Sequence, residues 1–318
     1  MKIATITLNP AIDQTVFVDN FCVDQVNRGR AMQHDAGGKG VNVASFLADY
    51  GLTVTATGLL GADNATIFER HFAAKGIADR FVRVPGLTRI GVKIVDEARQ
   101  QTTDINMPGA EPPAGAMDAL LTTIDALAAD HDWFVLAGNL PPGLPADTSA
   151  AIIARLKARG CRVALDASGA ALKAGLRAGP TLAKPNLDEL RQISEAPLTG
   201  NGEVARAARE LCAGGVELAI ISMGAKGALF TTATGSVLAV PPPVAVTSTV
   251  GAGDAMVAGT IAGLIQGLEL AAIARLATAF SLAALARVGA HLPPRAELEA
   301  SANRVMILAP DVLRTTAA

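Results

Sequence analysis

In Gly251-Ala252-Gly253-Asp254 two glycines flank an alanine, and a carboxylate follows. Glycine allows a tight turn and lets backbone approach a ligand closely. A small-residue apolar run, Ala255 to Leu268, comes next and reads as a helix. The first N–H groups of a helix lack internal partners and sit at the positive end of its dipole, so such a turn accepts an anion. Asp254 stands at its mouth. An acid there either caps the helix or serves as a base beside a phosphate in transfer. The segment alone leaves both readings open.

A second glycine cluster is Ala36-Gly37-Gly38-Lys39-Gly40-Val41-Asn42-Val43-Ala44, ahead of an amphipathic helix over about 41–49. It is not a P-loop. No glycine precedes it at the required spacing, and Gly40 follows Lys39 where Ser or Thr is needed. It reads either as a plain strand-to-helix turn or as a backbone cradle for a small polyol, with Lys39 and Asn42 as donors.

Elements must bring these clusters together. Ile3 to Leu8 reads as a buried strand ending at the Asn9-Pro10 turn, with Asp13 just beyond. Strand and helix then alternate: strands at 54–60, 133–140, 161–166, 182–185 and 216–223, helices at 65–74, 147–159, 187–193 and 203–213. The alternation predicts a mostly parallel sheet with helices on both faces. Ligands then bind at the carboxyl ends of the strands, where Asn139, Asp166, Lys184, Ser222 and the Gly251 turn converge. Two β-rich runs, 88–95 and 101–106, form a hairpin signal. With short strands near 15–19 and 28–35 they predict a small separate sheet, a lid formed by about 13–36 and 87–107. The patch 108–116 reads as a surface loop.

The 318 residues suit one large α/β domain over 1–318 with an insertion, or two smaller domains. A net charge of −2 argues against a nucleic-acid or membrane-surface footprint. Three scattered cysteines and four scattered histidines show no metal-binding spacing and point to a reducing compartment. No apolar run reaches spanning length without interruption, so a cytoplasmic chain is expected.

Four stretches together carry a likeness: Asn9-Pro10-Ala11-Ile12-Asp13, the 36–44 cluster, Lys184-Pro185-Asn186-Leu187-Asp188-Glu189-Leu190 and Thr249 to Asp254. In this order they resemble the PfkB, or ribokinase-like, carbohydrate kinases over nearly the whole chain. The resemblance implies the ribokinase-like α/β fold and phosphoryl transfer from ATP, with Mg²⁺, to a sugar hydroxyl. It implies that Asp254 is the base and that the N–H groups of Gly251, Ala252 and Gly253 hold the charge on the phosphoryl group. Lys184, Ser222, Gly224, Ala225 and Gly227 would lie along ATP. Asn186 and Glu189 would help place Mg²⁺ and phosphates. The competing reading of Glu189 is a capping-box acid behind Asn186.

On the sugar side the resemblance implies Asp13, Gly38 and Asn42 at the ring. A sugar phosphate needs cations, for which Lys39 and Arg89 are the candidates, with Arg28 behind them; an edge-strand charge is the plain alternative for Arg89. Asn139 stands where related kinases often have Ser. The form of the first glycine motif and Thr88-Arg89-Ile90 favour fructose 1-phosphate as acceptor. Turning a fructofuranose ring over exchanges its two CH₂O arms, so tagatose 6-phosphate and fructose 6-phosphate remain alternatives. A catalytically inactive sugar-phosphate-binding regulator is a further reading. A nucleoside substrate would leave Lys39 and Arg89 without partners. Apolar lid faces lead to the expectation of a homodimer through the lid.

Overall fold

The protein is described here from a computed structural model, over residues 1–194, 198, 200–287 and 289–309. The stretch 310–318 of the expected domain lies outside the described residues. Its centre is Ile3–Thr7, IATIT, buried at every position. A strand buried on both faces needs apolar or self-satisfied residues throughout, which is the habit of parallel sheets. Val54–Gly61 and Trp133–Ala137 flank it in parallel register, pairing Ile3 with Val54 and with Trp133.

Across the large sheet the strands run Ala78–Asp79, Val54–Gly61, Ile3–Thr7, Trp133–Ala137, Arg162–Asp166, Leu182–Ala183, Leu218–Ser222, Ala228–Thr231, Ser236–Val240 and Met306–Leu308. Val82–Val84 also pairs with Val54–Gly61. Pairing is parallel as far as Leu218–Ser222 and antiparallel beyond it. One apolar cluster lies on each side of the sheet centre: Ile3, Phe46, Trp133 and Phe280 belong to one, Ile6, Phe134, Leu165 and Leu172 to the other. Alternate residues of a strand point to opposite faces, so neighbours such as Trp133 and Phe134 feed different clusters.

The smaller sheet has the order Ala31–Gly37, Ala11–Phe17, Arg89–Asp96, Gln101–Asn106. Ala11–Phe17 is antiparallel to the first and parallel to the third. Its strand positions differ by a few residues from the expected 15–19 and 28–35, because pairing from Ala11↔Gly37 onward is long-range and invisible to local pattern.

Several elements are absent from the sequence reading: helices Ala116–Leu127, Gly169–Arg177 and Arg295–Asn303, and the edge strands Ala78–Asp79 and Met306–Leu308. The strands are two or three residues long and lean on a preformed neighbour for their hydrogen bonds. The middle strand stops at Ala137 rather than Leu140, since the chain turns at Gly138. Among the described residues no helix is long and apolar enough to cross a membrane.

Candidate active site

The helix after the glycine turn runs Ala252–Ile265, three residues ahead of the expected start. Gly251 is its N-cap in the left-handed region, at φ 81°, with no side-chain cap bond. Glycine enters that region without the Cβ penalty of other residues. The correction bears on function. Asp254 is not the cap; it lies in the first turn, and no side chain caps the helix. Ala255 N donates to Gly251 O at 2.8 Å, so the N–H groups before it make no such helical bond. Ser281 Oγ donates to Ala252 O at 2.6 Å and ties the turn to the next helix.

Asp254 is 5% exposed, and Asn42 Nδ2 donates to its Oδ2 at 2.8 Å. Burial pushes its carboxyl up to about 6; the Asp166 charge adds to that, while Lys39, Asn42 and Lys184 pull the other way. A carboxylate so placed can accept a proton near neutral pH. Asn42 and Lys39 sit three apart at the start of helix Lys39–Asp49, which is how the second glycine cluster reaches the first.

Asp166, at the end of Arg162–Asp166, joins the two lysines. Lys39 Nζ donates to its Oδ1 at 2.9 Å, and Lys184 Nζ lies 3.5 Å from the same oxygen. Burial works against the charged forms here, but the partners prevail. Asp166 is held below the usual carboxylate range by Lys184 and Lys39. Lys39 is held above its ordinary value by Asp166, Asp254 and Glu189. Lys184 also backs the anion turn: a Cβ on Gly253 would lie 3.1 Å from its Nζ. Sequence reading noted Asp166 only as a strand end; its signal was a carboxylate closing a buried strand.

A solvent-open pocket is lined by Asp13, Thr15, Asp35, Asn42, Lys93, Ser248, Val250 and Gly251. It brings Asp13 of the small sheet to the same space as Asn42 and the glycine turn. Asp13 lies between two glycines on the flanking strands. A Cβ on Gly37 would come within 2.6 Å of its Oδ2, and one on Gly91 within 3.3 Å of its Oδ1. Side chains there would displace the carboxylate. Lys93 Nζ donates to Asp13 Oδ2 at 2.5 Å. Gly37, Gly91 and Lys93 escape a sequence reading, because only strand register makes them neighbours of Asp13.

The expected phosphate ligands are dispersed. Arg89 lines a second solvent-open pocket with Asn9, Thr88 and Glu111. It donates to Asn9 Oδ1 at 3.1 Å, Met107 O at 3.0 Å and Asn9 O at 3.2 Å. That uses three of the five guanidinium donors. Arg28 is exposed in the loop between two small-sheet strands and is not brought to either cavity. Asn139 accepts from Ser168 Oγ at 2.7 Å through its Oδ1, leaving its NH₂ as the donor end. Gly38, at φ 110°, is the N-cap of the helix that carries Lys39 and Asn42.

The expected nucleotide residues gather on the other side of Lys184. Ser222 N donates to Pro185 O at 3.2 Å, and Asn186 bridges to Ser222. Ser222 leads into a tight turn, Gly224–Lys226, that returns as the antiparallel strand Ala228–Thr231 after Gly227. Asn186 and Glu189 form a reciprocal capping box: Glu189 N donates to Asn186 Oδ1 and Asn186 N to Glu189 Oε2, each at 2.8 Å.

The pfkB family carbohydrate kinase model matches residues 6–296. The chain belongs to this family. A 1-phosphofructokinase of Rhodobacter capsulatus is 51% identical over 308 residues, covering 96% of this chain and 98% of its own. Phosphofructokinase-2 from Escherichia coli, solved in complex with substrates and products, superimposes with a TM-score of 0.90 at 28% identity, over 95% of this chain and 99% of that one. Ribokinase from Thermotoga maritima shares the fold, with a TM-score of 0.76 at 22% identity over 95% and 99% of the two chains. As a pfkB carbohydrate kinase the protein is a phosphotransferase with an alcohol group as acceptor.

The family implies a divalent cation, and the donors here suit Mg²⁺. Asp166 is wholly buried, and among the described residues its Oδ2 has no hydrogen-bond partner. Glu189 spends Oε2 on the cap, while its charge acts on Lys39. Mg²⁺ keeps several waters and needs one or two carboxylates beside substrate phosphates. Oxygen donors this sparse match that habit better than a closed protein cage.

Proposed function

We propose that the protein transfers the γ-phosphoryl group of ATP to the C6 hydroxyl of fructose 1-phosphate, giving fructose 1,6-bisphosphate and ADP. The observation that carries this reading is the meeting of Asp13, Asn42 and the Gly251 turn around one pocket, with Asn42 bonded to Asp254 behind it. The 1-phosphofructokinase of Rhodobacter capsulatus supports the choice of sugar through its near full-length identity.

Asp254 takes the hydroxyl proton as that oxygen bonds to the γ-phosphorus, and the bond to the ADP oxygen breaks. The N–H groups of Gly251, Ala252 and Gly253 hold the charge on the equatorial oxygens. That spares Asp254 from facing bare phosphate charge. Asn42 orients the base through Oδ2. Asp13 receives ring hydroxyls, with Gly38 letting backbone approach. Lys39 bridges the acceptor and Asp166. Arg89 supplies its two remaining donors to the sugar phosphate, with Asn139 offering its NH₂. Lys184, Asn186 and the 222–227 turn take the ATP phosphates and ribose. Glu189 and Asp166 would hold Mg²⁺, which would supply neutralising charge for the phosphate oxygens. The small sheet acts as a lid that excludes water from ATP.

Coupled ADP release with Mg-ATP and a panel of fructose 1-phosphate, fructose 6-phosphate, tagatose 6-phosphate, free fructose and adenosine tests the reading. Fructose 1-phosphate is expected to lead in kcat/KM. Leadership by another ketohexose phosphate reverses the sugar in the site and keeps the mechanism. Absence of turnover with every acceptor favours a binding protein.

We also infer a homodimer through the small sheet. Register puts Met32, opposite Val16, and Ile105, opposite Val92, on the face of Ile12 and Ile90. Met32 is 59% exposed, Ile105 44% and Ile90 39%. Exposed apolar residues sharing one sheet face support an interface.

A further inference from the structure

Alternation along the small sheet sorts its residues by face. Asp13, Thr15 and Lys93 share the face that lines the sugar cavity, with Thr15 directly opposite Lys93 and Gly91 directly opposite Asp13. Among the described residues lining that cavity, Lys93 is the one cation, against the carboxylates of Asp13 and Asp35. Arg89, four residues earlier on the same strand, opens onto the other cavity and spends three donors on carbonyl oxygens. Lys39 is shared with Asp166 and does not line that cavity.

Charge balance then becomes a problem for the substrate. A phosphorylated sugar carries about two negative charges near neutral pH. It has to enter a space that already holds Asp13 and Asp35, with buried Asp254 at its edge. Two like charges in a low-dielectric cleft repel strongly. Lys93 removes much of that cost. Its side chain is 17% exposed and that of Asp13 is 20% exposed, so the pair is only partly screened by water. Lys93 bonds Oδ2 alone. Oδ1 lies against Gly91, where the missing side chain leaves it uncrowded: a Cβ there would come within 3.3 Å. The cross-strand partner of Lys93, Asp104, is exposed and water-screened.

We propose that Lys93 is a specificity-determining residue: it fixes the Asp13 carboxylate for the sugar hydroxyls and supplies the counter-charge that admits a phosphorylated rather than a neutral ketohexose. The inference rests on the sugar-phosphate kinase reading above.

The test compares wild type, Lys93→Met and Lys93→Arg with Mg-ATP, on fructose 1-phosphate and on free fructose, or on whichever ketohexose phosphate the wild type prefers. Loss of one charge-assisted contact predicts that Lys93→Met raises KM for the sugar phosphate roughly 10- to 100-fold, with KM for ATP within about threefold. The kcat/KM preference for the phosphorylated over the neutral sugar narrows correspondingly. Lys93→Arg keeps the charge and is expected to restore most of the sugar-phosphate KM. Equal rises in both KM values, or an unchanged preference, overturn the inference while wild-type turnover keeps the kinase reading. Should Lys93→Met melt early, Lys93→Arg decides: a preference as narrow as that expected of Met overturns the role. No wild-type turnover of any ketohexose phosphate overturns both.

Discussion

As the proposed base, Asp254 would owe its proton affinity to burial more than to its motif. A carboxyl lifted to about 6 is largely ionised at neutral pH yet remains a competent proton acceptor. Because the base works only when ionised, kcat/KM is expected to rise with pH through an acid limb near 6 and to level above it. A pH–rate profile with its acid limb below 5 assigns the limb to another group. Asp254→Asn is expected to lower kcat by about 10²- to 10⁴-fold while equilibrium ATP binding persists. A near-normal kcat removes Asp254 from the chemistry. Arg89→Ala should raise KM for the sugar phosphate by about tenfold and leave KM for ATP nearly unchanged. Equal effects on both would make the residue a brace for Asn9 and Met107, which it also touches.

At the scale of elements, helix Leu187–Ile193 joins an observed role and a proposed one on the Glu189 side chain. The capping box is present, so a stability loss on removing either member is expected from the cap alone. Asn186→Ala should cost about 1 kcal/mol in unfolding free energy. Glu189→Gln separates the roles, since an amide oxygen still accepts from Asn186 N but carries no charge. Unfolding free energy should change by less than about 0.5 kcal/mol, while the Mg²⁺ concentration for half-maximal activity rises severalfold. An unchanged Mg²⁺ requirement leaves Glu189 as a cap and nothing more. The glycine turns act at this scale too: Gly251 starts its helix at Ala252, and that shift moves Asp254 from a presumed cap position into the first turn.

On the whole molecule, the small sheet has a polar face toward the pocket of Asp13 and Asn42 and an apolar face with Met32, Ile90 and Ile105 exposed. Light scattering is expected to return the mass of two chains at micromolar concentration. Ile105→Lys combined with Met32→Glu should shift it toward one chain. A single-chain mass for the unmodified protein at working concentration ends the dimer reading. Because the sheet that would form the interface also presents Asp13 and Lys93, the dissociated variant is expected to show a raised KM for the sugar phosphate.

Strand–helix alternation was enough to read the α/β class and the hairpin signal to read the small sheet, while the family resemblance set residues 36–44 with 249–254. Those signals are local: periodicity, turn residues and charge at a helix start. Three facts came only with tertiary structure. Asp166 sits between Lys39 and Lys184 because parallel strands end side by side. Gly37 and Gly91 shelter Asp13 because strand register sets them beside it. Lys93, rather than Arg89, reaches the cavity of Asp13 and Asn42 because the two share one face of a strand four residues apart, and distance along that strand decides which space each cation meets. Each is a long-range pairing, and a chain read residue by residue carries no record of which strand lies next to which.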